Sequence, residues 1–135
     1  MSDISETVRD WVAEALGPGV AVEYGRFPEA PVACEVKSSP GDPWVKRYQS
    51  GGGIKRYAYE VYVRVNPRGS EGPRFDALAA LRSLQARIEA REVPPIGAAC
   101  FSHEVTQLPN EYATEKDGRA VYQMTAALTY HEKGN

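Results

Sequence analysis

The sequence predicts an α+β domain in which a mixed or antiparallel β-sheet carries two helices packed mainly on one face. Three observations carry that expectation. Apolar residues recur at helical spacing in two stretches, near the N-terminus and after residue 73. They alternate at strand spacing in two others, at 54–65 and 120–130. The order helix, strands, long strand, helix, strand, strand lacks the strict alternation that builds a parallel sheet.

Asp3, with Glu6 three residues on, reads as a capping box, and Ile4, Val8, Trp11, Val12, Ala15 and Leu16 then follow a helical period over 4–16. Gly17-Pro18-Gly19 stops that helix, and Val20 to Tyr24 has strand composition. A connector through Phe27-Pro28-Glu29-Ala30-Pro31 leads to a second strand at Val32–Val36, which stops near Ser39-Pro40-Gly41-Asp42-Pro43. From Ile54 to Val65, Tyr57, Tyr59, Val61, Val63 and Val65 fall on one face, and Arg56, Glu60, Tyr62 and Arg64 on the other. Pro73 suits a first helical position, and Phe75, Leu78, Leu81, Leu84 and Ile88 form the expected apolar stripe of a helix at about 73–91. After Pro94-Pro95 come a strand at 101–105, a polar loop at 110–118, and a closing strand. In that strand Ala120, Tyr122, Met124, Ala126, Leu128 and Tyr130 belong to the core.

A chain of 135 residues fits one domain over 1–135, and 42% hydrophobic with 25% charged residues argues for a folded globular protein. No apolar run approaches the length of a membrane span and the N-terminus lacks a signal core, so an intracellular, membrane-free protein is expected. The two cysteines, Cys34 and Cys100, are too few for a disulfide framework and are expected as free thiols. The net charge is −2 and unevenly placed. The segment KRYQSGGGIKRY at 46–57 holds four of the 16 basic residues, leaving 12 against 18 acidic residues, a balance of −6. Such a body is a poor general binder of nucleic acid, whose affinity comes from neutralising many phosphates at once.

The motifs carry little chemistry. The glycines of the repeated KRY segment lead into a strand, whereas a phosphate-binding loop needs glycines that open a helix. Cys100 and His103, with Cys34 and His131 elsewhere, invite a zinc or thiol reading. Side chains three apart on a strand point to opposite faces, so a buried Cys100 and a surface His103 are expected unless a bulge intervenes. His103-Glu104 has no helical context for metal-assisted hydrolysis. Asp10 and Glu14, and Arg82, Glu89, Arg91 and Glu92, read as solvated helix faces. No catalytic, cofactor-binding or metal-binding set is therefore expected, and no cofactor.

The remaining candidate is a glycine-tipped hairpin at about 44–65. Its candidate interface residues are Lys46, Arg47, Tyr48, Gly51, Gly52, Gly53, Lys55, Arg56 and Tyr57. Tyr48 and Tyr57 are expected to brace the arms, the glycines to form a flexible tip, and the four cations to meet acidic surface on a partner. Two other readings stay open. The arms could stack bases and neutralise phosphates, or the charges could simply protect exposed strand edges from aggregation.

The run from Val45 through the glycine tip to Arg64, the helix at 73–91, the Val93-Pro94-Pro95 connector and the closing YQMTAALTY at 122–130 together resemble the tail terminator (minor capsid) proteins of long-tailed bacteriophages. The similarity covers most of residues 4–131. Ser50 and three glycines stand where that family commonly has an acidic residue and a single glycine. The resemblance implies a non-enzymatic virion protein, assembled in the host bacterial cytoplasm, that closes as a hexameric ring on the head-proximal end of the tail. Its implied partners are copies of itself, the tail tube protein and the head–tail connector protein, with DNA passing through the ring only in transit. A head-completion or connector protein of the same virion, or a small cytosolic binding domain, shares these features.

Overall fold

In the computed structural model, which describes residues 3–133, Asp3 caps the first helix by accepting a 2.9 Å hydrogen bond from the Ser5 backbone N–H. Helix α1 spans Ile4–Leu16, and Glu6 in its first turn complements the helix dipole. The strands follow as β1 (Ala21–Tyr24), β2 (Val32–Ser38), β3 (Trp44–Arg47) and β4 (Gly52–Val65). Helix α2 (Gly72–Glu89), with Pro73 in its first turn, separates them from β5 (Cys100–Thr114) and β6 (Ala120–Lys133).

One mixed six-stranded sheet results, in the order β1-β2-β4-β6-β5, with β3 beside the N-terminal part of β4. Among the described residues only the β1–β2 pair is parallel. Strand β4 is the spine. Along one side it pairs with β6 over its whole length, Gly52 to Val65, and on the other side with β2 and then β3.

The register explains the core. Tyr59, Val61, Val63 and Val65 sit opposite Ala126, Met124, Tyr122 and Ala120. All eight share one buried cluster with Val8, Trp11, Val12 and Leu16 of α1 and Ala77, Leu81, Leu84 and Ile88 of α2. Both helices therefore cover the same sheet face, as the α+β reading predicts. Each of the larger side chains buried there, such as Val61, Leu81 or Met124, contributes roughly 1.5–3 kcal/mol.

Three local expectations need correction. Phe75 is 59% exposed, and Ala77 takes its place in the buried stripe. At 100° per residue Phe75 lies about 120° around the helix from Leu81, whereas Ala77 lies only about 40° from it. The polar segment 110–118 is mostly strand, because Asn110, Glu111, Ala113 and Thr114 pair with Gln123, Tyr122, Val121 and Ala120, and only 115–118 turns. The outward face of β4 is also partly covered. Tyr62 packs edge-on against Tyr112, and the Arg64 guanidinium lies 4.6 Å over the Phe27 ring, so both are buried despite their outward position.

Candidate functional site

The hairpin forms as the sequence predicts, but its construction differs. β3 pairs with β4 through Trp44–Lys55, Lys46–Ile54 and Arg47–Gly53, with an irregularity between Trp44 and Lys46. The same part of β4 pairs on its other side with β6, from Gly52–Lys133 to Tyr57–Leu128. The expected two-armed flap is thus a three-stranded ribbon continuous with the sheet.

The glycines have a local reason. Gly51 and Gly52 take φ of 97° and 73°, and the turn is closed by hydrogen bonds from Tyr48 N–H to Gly52 C=O and from Gly51 N–H to Tyr48 C=O, both 3.1 Å. At Gly53 a Cβ would lie 2.0 Å from the Lys46 carbonyl oxygen. Close strand approach and left-handed backbone require these residues; a freely flexible tip is not needed to explain them.

Of the two tyrosines, Tyr57 braces the ribbon, whereas Tyr48 is exposed near its tip. Tyr57 is half-buried, and its hydroxyl shares a 2.7 Å hydrogen bond with Ser5 Oγ, tying the arm to the first turn of α1. Burial pushes its hydroxyl pKa up to about 12. Tyr48 is more open and lies 6.2 Å from the His131 ring. The four cations already have partners in the chain. Trp44 is flanked by Arg47 at 4.7 Å and Lys55 at 4.6 Å from its ring centre, and Lys46 stands 5.7 Å from that of Tyr48. Lys55 pairs with Glu132 at 2.6 Å and Arg56 with Glu104 at 3.7 Å. Lys46 and Arg47, held only by aromatic faces among the described residues, are the pair left available for an outside anion.

Cys100 and His103 reverse the expected arrangement. A register shift between Cys100 and Ser102 breaks the strand alternation, so His103 is the buried member at 9% exposure and Cys100 is half-exposed. Both border one depression with Arg91 and Phe101, yet they do not pair. The imidazole is fully used elsewhere. Its Nδ1 lies 2.9 Å from the Glu92 carbonyl and its Nε2 lies 2.6 Å from the Tyr59 hydroxyl. A carbonyl can only accept, so Nδ1 carries the proton and Nε2 accepts from Tyr59. Trp11 closes the site, its ring 5.2 Å from the imidazole. Burial holds the His103 pKa below its ordinary value and raises that of the Cys100 thiol. A nucleophile–base pair needs the opposite: a lowered thiol pKa beside an available imidazole.

The other groups fall into surface pairs. Asp10 meets Arg9 at 2.7 Å and Glu14 reaches Arg87 of α2 at 3.6 Å, so both carboxylates are engaged by cations, although both border one surface depression with Thr7, Trp11 and Pro95. Cys34 is fully buried in the core, and burial raises its pKa strongly. Among the described residues no group of three or more His, Cys, Asp and Glu side chains could hold a metal ion.

One feature lay beyond sequence reasoning. β5 is the free edge opposite β3 and carries Glu104 and Glu111 with no Lys or Arg over Cys100–Thr114, together with exposed Phe101, Leu108 and Tyr112. Its only early signal was the absence of basic residues from that stretch. Fold and surface define a class: a two-layer α+β domain whose sheet offers a basic free edge at β3 and an acidic, partly apolar free edge at β5. Beyond that class, the chain matches no protein-family model and no curated protein.

Proposed function

We propose that the protein is a non-enzymatic assembly subunit that closes head to tail into a ring, in the manner of a phage tail terminator. In this reading the ring, a hexamer by analogy with that family, caps the finished tail tube, ends tube polymerisation and offers its other surface to the head–tail connector. The observation that carries it is the opposition of two of the sheet's edges, β3 and β5. A closed ring needs a heterologous interface, in which one patch of each subunit fits a different patch of the next. The basic β3 ribbon, with Lys46 and Arg47 outermost, and the β5 edge lie on opposite sides of the sheet. Glu104 and Glu111 of β5 are exposed but already meet Arg56 at 3.7 Å and Arg74 at 3.3 Å in the same chain, so docking of one edge on the other would exchange these surface pairs across the interface. Unpaired strand backbone on both edges adds hydrogen-bonding capacity. A body balanced at −6 outside the KRY segment would let DNA slide through the ring without sticking.

The test is mass determination of the purified protein in solution, alone and with tail tubes, alongside electron microscopy of tube ends. Rings on tube ends, with tube growth arrested, are expected. A protein that remains monomeric on tubes and leaves their growth unchanged would falsify the reading.

A further inference from the structure

We propose that a pocket at the far end of the sheet from the KRY ribbon binds a phosphate group through Arg64, Arg68 and Arg119. The pocket is a depression of about 510 Å³ lined by these three arginines with Ala30, Pro31 and Asn66. Each arginine comes from a different segment. Arg64 is at the end of β4, Arg68 in the turn after it, and Arg119 in the turn that opens β6.

Arg64 supplies the observation that singles the pocket out. Only 8% exposed, it stacks on Phe27, and its closest carboxylate oxygen, Glu115 Oε1, is 3.6 Å away, beyond hydrogen-bond reach. Arg119 Nε is 2.7 Å from Asp117 Oδ2 and 3.3 Å from Glu115 Oε1, yet neither Nε nor Oε1 has an aligned hydrogen-bond partner among the described residues. Buried guanidinium and carboxylate atoms are normally hydrogen-bonded, and leaving them unsatisfied is costly. Arg119 Nε is nonetheless held close to both carboxylates, so the donor capacity they leave unused belongs to the Arg64 and Arg68 guanidiniums, which make no hydrogen bond among the described residues. Arg68 makes no ion pair among the described residues, and the turn that carries it is fixed by hydrogen bonds from Arg68 N–H to Asn66 Oδ1 at 3.2 Å and from Ser70 N–H to Pro67 C=O at 2.9 Å.

Charge and shape select the ligand. Glu115 and Asp117 offset two of the three positive charges, leaving a net +1 at the mouth. Three planar donor forks approaching from three segments suit a tetrahedral oxyanion, whose oxygens point in several directions; a carboxylate offers two oxygens in one plane. The phosphate can belong to a small molecule or to a nucleic-acid strand, and the probes below separate these sources.

The test is titration of the isotopically labelled protein, followed by NMR of backbone amides and arginine Nε–H groups. Inorganic phosphate is one probe and a short oligothymidylate the other, at constant ionic strength. Saturable shifts at Arg119 Nε–H and at the Asn66 and Arg68 amides are expected. They should weaken about tenfold in Arg68→Gln, since a charge-assisted hydrogen bond is worth about 1.4 kcal/mol or more. Arg68 is exposed and outside the core, so the variant should fold normally, which its amide spectrum verifies. Saturation by inorganic phosphate alone assigns a small-molecule ligand, and tighter binding of the oligonucleotide assigns a strand. Shifts that do not saturate, or that are unchanged in Arg68→Gln, overturn the proposal.

Discussion

The Tyr59 hydroxyl donates a 2.6 Å hydrogen bond to His103 Nε2, joining the central strand β4 to the edge strand β5 across 44 residues of sequence. Through His103 Nδ1 the same imidazole ties the segment that follows α2, at the Glu92 carbonyl, into that contact, and Trp11 of α1 packs against it. Four segments therefore meet at one histidine whose role in this fold is structural.

Tyr59→Phe should keep the ring in place but leave His103 Nε2 buried without its donor. A loss of about 1–3 kcal/mol is expected from equilibrium urea unfolding, with the larger loss in His103→Ala, which also removes packing against Trp11. Unchanged midpoints in both variants would show that the imidazole is not the node described.

Stability should also fall on mild acidification. His103 is buried neutral, with its folded pKa below the ordinary value of 6.5. The unfolded chain therefore binds the proton more readily, and stability is fully present above about pH 6.5 and declines as pH drops from there through the depressed folded value. Unfolding free energies measured from pH 8 to pH 5 should slope downward in the wild type and flatten in His103→Gln. An equal slope in both proteins assigns the effect to other groups.

Gly53→Ala should detach the ribbon while sparing the core. The added methyl meets the Lys46 carbonyl, and φ of 150° adds backbone strain of about 1–3 kcal/mol. Hydrogen exchange reads the outcome. The Tyr48 amide, bonded to Gly52 C=O, should exchange far faster, and amides of β4 beyond Tyr59 should not change.

Leu81 and Phe75 should respond oppositely to truncation. Leu81 is fully buried between α2 and the sheet, so Leu81→Ala should cost about 2–5 kcal/mol. Phe75→Ser should stay within about 0.5 kcal/mol of the wild type, as exposed positions usually do. Thermal or chemical denaturation of the two variants checks the pair.

If the chain self-associates through β3 as proposed, reversing Lys46 and Arg47 together to Glu should leave the fold intact and weaken that association about tenfold at low salt, with the difference shrinking as salt screens the edges. Arg56 is a poorer choice for this test because Glu104 of the same chain already engages it. Association measured by light scattering across a salt series decides. Equal association of variant and wild type at low salt would remove β3 from the interface.

The sequence by itself determined the α+β class, both helices, the long central strand and the hairpin, because these depend on local periodicity, caps and breakers. Asp3, Gly17, Pro73 and the alternation from Tyr57 to Val65 each act within a few residues of themselves. What only the tertiary structure decided depends on pairing between distant segments. The polar run through Thr114 became an edge strand because β6 offered it a backbone to pair with, and polarity is no bar at an exposed edge. His103 turned inward because a register shift near Ser102 reset the side-chain alternation just where Tyr59 and the Glu92 carbonyl could satisfy both ring nitrogens. The arginines at 64, 68 and 119 are far apart in the chain, and a single sequence carries no signal that the ends of β4 and β5 and the start of β6 will gather them at one pocket.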